Sequence, residues 1–279
     1  FGFSAAAAGD LNNDGLADIM IGAAHENVTD RSLAGAVYLL FGHSNVSGQF
    51  QGDVNISTAL KADSVAVVVG ASAGDMCGSA VGSGDFNGDG HSDLVINCVG
   101  ASPLERNAAG ETYIIYGLST SSTQSDAPSQ IPTSLPTLQT PSAVPVRPGN
   151  LPISAFEVGT ETGFYVMGTE EGEQVGFAVS KAGDFNGDGI DDLVVSSPWG
   201  GSKQGGMAII IYGTEAAFTA IDLSQVYSSE QGVIMTGSAI GDAFGFSIGG
   251  GGDFNGDGFD DIIISSPYAG SENWEDAGK

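Results

Sequence analysis

Four short stretches carry the residues most able to do chemistry: "GDLNNDG" at 9–15 and "GDFNGDG" at 84–90, 183–189 and 252–258. Read through the following residues, each is Asp-x-Asn-x-Asp-Gly-x-x-Asp. The sets are Asp10, Asn12, Asp14 and Asp18; Asp85, Asn87, Asp89 and Asp93; Asp184, Asn186, Asp188 and Asp192; Asp253, Asn255, Asp257 and Asp261. Alternate oxygen-bearing side chains at positions 1, 3 and 5 converge when a backbone coils tightly, and glycine at position 6 permits the bend. Hard cations such as calcium take six to eight oxygens at about 2.3–2.6 Å, backbone carbonyls included. Position 7 (Leu16, His91, Ile190, Phe259) is expected to lend its carbonyl and position 9 a carboxylate, giving four Ca2+ sites. Carboxylates packed this closely repel one another without a cation. An isolated Asp/Asn/Gly turn is common in hairpins, but four copies filling the same five positions are not explained that way. An EF-hand needs glutamate at position 12 between two helices; here position 12 is Ile21, Ile96, Val195 or Ile264. Magnesium seldom accepts an all-protein cage, and no His/Cys grouping suits zinc.

The elements that must hold these turns repeat with them. Before each turn comes a strand rich in small residues, and after it a β-branched one such as "DIMIGAA" or "DLVVSSP". Three units continue into a third strand ("AVYLLFG", "TYIIYG", "MAIIIYG") and a fourth ("VAVVVG", "FYVMG", "VIMTG"). Four short strands at a recurring spacing read as β-propeller blades, which stack because one sheet cannot bury both its faces alone. The turns are separated by 75, 99 and 69 residues. The long step contains 118–150, with six of the ten prolines and twelve Ser or Thr, a composition that favours an extended, solvated insertion. The chain therefore divides into 1–117, the insertion 118–150, and 151–279.

Thirty-four acidic against seven basic residues give a formal charge of −27, which repels nucleic acid and anionic lipid. No apolar run is long enough for a membrane helix. Cys77 and Cys98 flank one turn on two expected strands and are either bridged or two small buried thiols. His25, His43 and His91 lie in unrelated contexts, and no nucleophile, zincin or Walker motif occurs, so the segment is read as non-catalytic. In the pairs Asp191–Asp192 and Asp260–Asp261 the second member is a candidate ligand, and the first is expected to be a surface carboxylate. Asn27, Asn45 and Asn55 head glycosylation sequons, as in a secreted glycoprotein.

A loop of this form preceded by "FG" and followed by a "GAP"-like segment resembles the FG-GAP repeat of integrin α-subunit propellers. The "FG" element is literal at Phe1-Gly2 and Phe244-Gly245, is Val175-Gly176 in the third unit, and is assigned to Met76-Cys77 in the second. The "GAP" element is Gly22-Ala23-Ala24, Cys98-Val99, Ser197-Pro198 and Ser266-Pro267. The resemblance implies an all-β, seven-bladed propeller, of which about three and a half blades are present, so the chain is read as a fragment. It also implies calcium in loops that stiffen the blades, on the face opposite the usual ligand-binding surface. The expected function is a calcium-stabilised extracellular module for protein or glycan recognition or adhesion. Alternatives are a structural glycoprotein subunit that assembles with copies of itself, and the accessory propeller of a secreted hydrolase.

Overall fold

The computed structural model describes residues 1–12, 14–42, 65–117, 150–152, 163–201, 204–216, 220–223, 231–270 and 278. The first blade is an antiparallel meander of β1 (Ser4–Gly9), β2 (Asp18–Ala23), β3 (Ala36–Leu40) and β4 (Val65–Val69). The second joins β5 (Cys77–Gly84), β6 (Asp93–Cys98) and β7 (Glu111–Ile115) to β9 (Gly163–Met167). β10 (Val179–Gly183), β11 (Asp192–Ser197), β12 (Met207–Ile211) and β14 (Gly232–Thr236) make the third. β15 (Ile248–Gly252) and β16 (Asp261–Ile264) form the hairpin that begins the fourth. These are the blades the sequence predicts, and each Asp/Asn/Gly turn joins a blade's first strand to its second. Among the described residues no helix is long and apolar enough to cross a membrane.

Blade stacking follows from the two-residue period of a strand. On β11 and β12, Leu193, Val195, Met207, Ile209 and Ile211 point into a core shared with Phe86, Val95, Ile114 and Phe164 of the second blade. The intervening Val194, Ala208 and Ile210 point the other way, toward Phe244, Ile248 and Ile262 of the fourth. The first and second blades meet through Met20, Val37, Leu39, Val81, Leu94 and Ile96. β6, β11 and β12 are thus buried on both faces, which is why the "DLVV"-type segments read as continuous apolar runs.

Two features depart from the expected four-stranded plan. β8 (Asn150–Pro152) adds in parallel to the outer edge of β4, and β13 (Ala220–Asp222) does the same on β9. Both lie between the third and fourth strands of the following blade, so each connection covers the preceding blade's exposed edge, a protection open sheets need. Asn150, the last residue of the proline-rich stretch, begins β8; the rest of that stretch, 118–149, lies outside the described residues.

The second departure corrects the assignment of "FG" in the second unit. Gly78, with φ of 83°, matches Gly2, Gly176 and Gly245 at 74°, 86° and 88°. The Cys77 amide bonds to the Ala34 carbonyl as Val175 does to Ala109 and Phe244 to Gly205. The element is therefore Cys77-Gly78, displaced because this unit has one residue fewer before its loop. Cys77 occupies the phenylalanine's place and is disulfide-bonded to Cys98, its cross-strand partner. Both are buried.

Candidate metal centres

A β-bulge before the loop positions three of the four turns, where the register slips at Ala7/Gly9, Lys181/Gly183 and Gly250/Gly252. Each turn then folds around its own side chains. In the first, the Asp14 and Gly15 amides donate to the two carboxylate oxygens of Asp10 at 2.9 and 2.7 Å. The Leu16 amide donates to Asp14 at 2.9 Å, and the Asn12 side-chain amide donates to Asp14 at 3.0 Å. The same bonds recur around Asp85, Asn87 and Asp89, around Asp184, Asn186 and Asp188, and around Asp253, Asn255 and Asp257. Positions 1, 3 and 5 are thereby gathered in every copy. The sixth-position glycines Gly15, Gly90, Gly189 and Gly258 have φ between 83° and 93°, where only glycine sits without strain. Hydrogen bonds from the Gly258 amide and its neighbours hold the Asp253 carboxyl below its usual range.

The ninth position does something the spacing alone does not announce. Asp18 accepts from the Leu11 amide with one oxygen, at 2.8 Å, and from Gly42, beyond β3, with the other, at 2.7 Å. Asp93 bridges Phe86 and Gly117, both at 2.8 Å. Asp192 takes Phe185 at 2.9 Å and Gly213 at 2.8 Å. All three carboxylates are buried. They are struts that tie the floor of each loop to the end of the third strand. Burial pushes Asp93 up to about 7 and Asp192 up to about 6, against these hydrogen bonds, and moves Asp18 in the same direction.

The donors are oxygens throughout, which suits a hard cation. Each carboxylate oxygen has two lone-pair positions, so an amide N–H on one leaves capacity on the other. Among the described residues, no three Asp, Glu, His or Cys side chains converge as a metal-holding group with the loops in this conformation. The carboxylates at positions 1 and 5 are turned onto their own backbone, and the ninth is held on the inner side.

Asp191 and Asp260, expected at the surface, are not simply solvated. Asp191 accepts from the Asp85 amide of the preceding loop at 2.9 Å and pairs with Lys181 at 2.6 Å. Asp260 accepts from the Asp184 amide at 2.9 Å. The side chain facing the previous blade finds a backbone donor there, which a one-dimensional pattern cannot show.

At the opposite end of the strands, aromatic pairs mark three blades at one repeated place. Phe3 meets His25 with ring centres 5.3 Å apart, Phe177 meets Trp199 at 4.8 Å, and Phe246 meets Tyr268 at 6.5 Å. Phe177 also reaches Phe246 of the next blade at 5.4 Å. Phe3, Trp199 and Tyr268 are about half exposed. The turns beneath are capped by buried acids that sequence reading passed over: Asp75 receives the Ser72 amide, Glu173 the Thr169 amide and Asp242 the Ala239 amide. Their signal is an acid two residues before the second, third and fourth "FG" elements. Of the sequons, Asn27 is exposed and accepts from the Leu33 amide; Asn45 and Asn55 lie outside the described residues, as does His43.

The FG-GAP repeat model matches residues 1–40, 78–115, 175–211 and 244–279, more than half of the chain. Integrin alpha pat-2 of Caenorhabditis briggsae is 24% identical over 269 residues, covering 96% of this chain and 18% of that protein. Phosphatidylinositol-glycan-specific phospholipase D of Rattus norvegicus is 29% identical over 210 residues, 74% of this chain and 20% of that protein. Integrin alpha-PS2 of Drosophila melanogaster is 27% identical over 212 residues, 68% and 15% respectively. The chain spans no more than a fifth of the length of these relatives.

Proposed function

Because the chain belongs to the FG-GAP repeat family, we propose that it is a calcium-stabilised, non-catalytic part of an extracellular β-propeller used for protein or glycan recognition or adhesion. The observation that carries this reading is the fourfold repetition of one oxygen-lined loop with one hydrogen-bond pattern. Asp10, Asn12, Asp14 and their counterparts would hold the ions, with Leu16, His91, Ile190 and Phe259 offering carbonyls and the ninth-position carboxylates facing the loop from within. Bound calcium would supply positive charge where carboxylates crowd, pinning the first hairpin of each blade. The chain's own part is to gather the oxygens and fix each loop to its third strand.

An extracellular setting is supported by the Cys77–Cys98 disulfide, since such bonds persist in oxidising compartments, and by the integrin relatives. Exposed aromatic residues at the end away from the loops support recognition there, because Trp, Tyr and Phe are enriched at interfaces. Residues 118–150 are then an insertion between the third and fourth strands of the second blade, separating 1–117 from 151–279. The similarity to a phospholipase D favours a second reading, in which the propeller is the accessory domain of a secreted hydrolase. Calcium titration of the purified chain, followed by circular-dichroism melting, tests the first claim. A melting temperature that rises with calcium and returns after chelation is expected; one indifferent to calcium would refute it.

A further inference from the structure

Successive loops touch one another. At the junction of the second and third blades, the peptide of Asp85, the first residue of its loop, is held from both sides by the next blade. Its amide donates to Asp191 at 2.9 Å, and its carbonyl accepts from the Asp191 amide at 3.2 Å. The next carbonyl, of Phe86, accepts from Thr214 at 3.0 Å. The side chain of Ile190 closes on Gly88, where an added Cβ would lie 3.2 Å from it. One junction further on the arrangement repeats: the Asp184 amide donates to Asp260 at 2.9 Å, and the Asp260 amide donates back to the Asp184 carbonyl at 3.3 Å. There the Phe259 ring covers Gly187 so closely that a Cβ would overlap it.

The first junction is built differently. The residue equivalent to Asp191 is Ser92, and the fourth position of the first loop is Asn13 rather than glycine. An aspartate at position 8 therefore accompanies a glycine at position 4 of the loop before it, at both junctions where the clamp forms. Lys181, at 2.6 Å from Asp191, offsets the repulsion of bringing a second carboxylate beside Asp85.

We propose that Asp191 and Asp260 are positioning residues that couple neighbouring cation loops, each fixing the first-ligand peptide of the loop one blade earlier. The proposal rests on the calcium reading above and adds to it a coupling between neighbouring sites. Ordering of the loop at 184–192 seats Asp191, which orders Asp85 and raises the calcium affinity of the loop at 85–93. By linkage, occupancy of the earlier loop strengthens the later one by the same factor. The first loop stands outside this relay.

Hydrogen exchange of the whole chain, measured against calcium concentration, reads each loop separately: the concentration at which the amides of one loop become protected is that loop's midpoint. Asp191→Ala is expected to raise the midpoint of 85–93 about 5- to 10-fold, the lower range of ordinary coupling between sites, while leaving that of 10–18 unchanged. Asp191→Asn, which keeps an acceptor oxygen for the Asp85 amide, is expected to stay within about twofold of the parent. Asp260→Ala provides an independent case, moving the midpoint of 184–192. A purely structural role would lower protection without calcium and leave the midpoints alone. Midpoints of 85–93 and 184–192 unmoved by the alanine variants would overturn the coupling, as would an Asn variant as impaired as Ala. If no loop of the parent gains protection with calcium, the calcium reading itself fails and the coupling with it.

Discussion

Asp192→Ala in the calcium-free protein separates the two jobs done by the acidic residues. This carboxylate is buried and satisfies the Phe185 and Gly213 amides from opposite sides. Removing it leaves both donors, and the Asn186 amide that also reaches it at 3.2 Å, without their partner beneath the loop. An unsatisfied buried donor costs about 1–3 kcal/mol, and a methyl group cannot replace either bond, so the expected loss is about 3–5 kcal/mol. At roughly 2–4 °C per kcal/mol for a domain of 150–250 residues, the melting temperature should fall on the order of 10 °C. The assay is thermal denaturation with chelator present at pH 8, where the carboxylate is ionised even though burial raises its pKa to about 6. The matched control is Asp257→Ala, whose hydrogen bonds are all exposed; it should cost less than about 1 kcal/mol without calcium. An Asp192→Ala melt unchanged from the parent, or a control equally destabilised, would refute the division into struts and ligands.

Raised carboxylate pKa values make the metal-free protein pH-sensitive in a definite sense. Asp93, at about 7, and Asp192, at about 6, hold protons more tightly folded than unfolded, so their stabilisation is present at pH 4 and lost as pH rises through 6–7. Chelator-treated protein should therefore melt at a lower temperature at pH 8 than at pH 5, and calcium should remove most of that difference. Replacing Cys77 and Cys98 together by serine should destabilise the chain by about 3 kcal/mol, from a closed loop of moderate length, as read by urea denaturation.

The periodic features were legible because they are local. Asp10-x-Asn12-x-Asp14-Gly15 bends on itself through bonds spanning two to five residues, and "DLVV" runs announce strands buried on both faces. What was missed lies between blades or between distant segments. Asp191 finds Asp85 across 106 residues of sequence. β13 pairs with β9 although most of a blade separates them in the chain. The strut role of Asp93, at the start of β6, depends on Gly117, which lies beyond one further strand. The sequence spacing places the second "FG" element one position before Cys77-Gly78 because that unit lacks a residue, and the positive φ of Gly78 together with the Cys77–Ala34 backbone bond restores the alignment. A period of two residues tells which side chains share a face, but not which neighbour that face meets.

Counting bound ions tests the central claim most directly. Equilibrium dialysis of the folded chain against millimolar calcium, followed by elemental analysis, should give four ions per chain. The variant with Asp10, Asp85, Asp184 and Asp253 all replaced by alanine should retain none. A parent that takes up no more calcium than this variant would contradict the account.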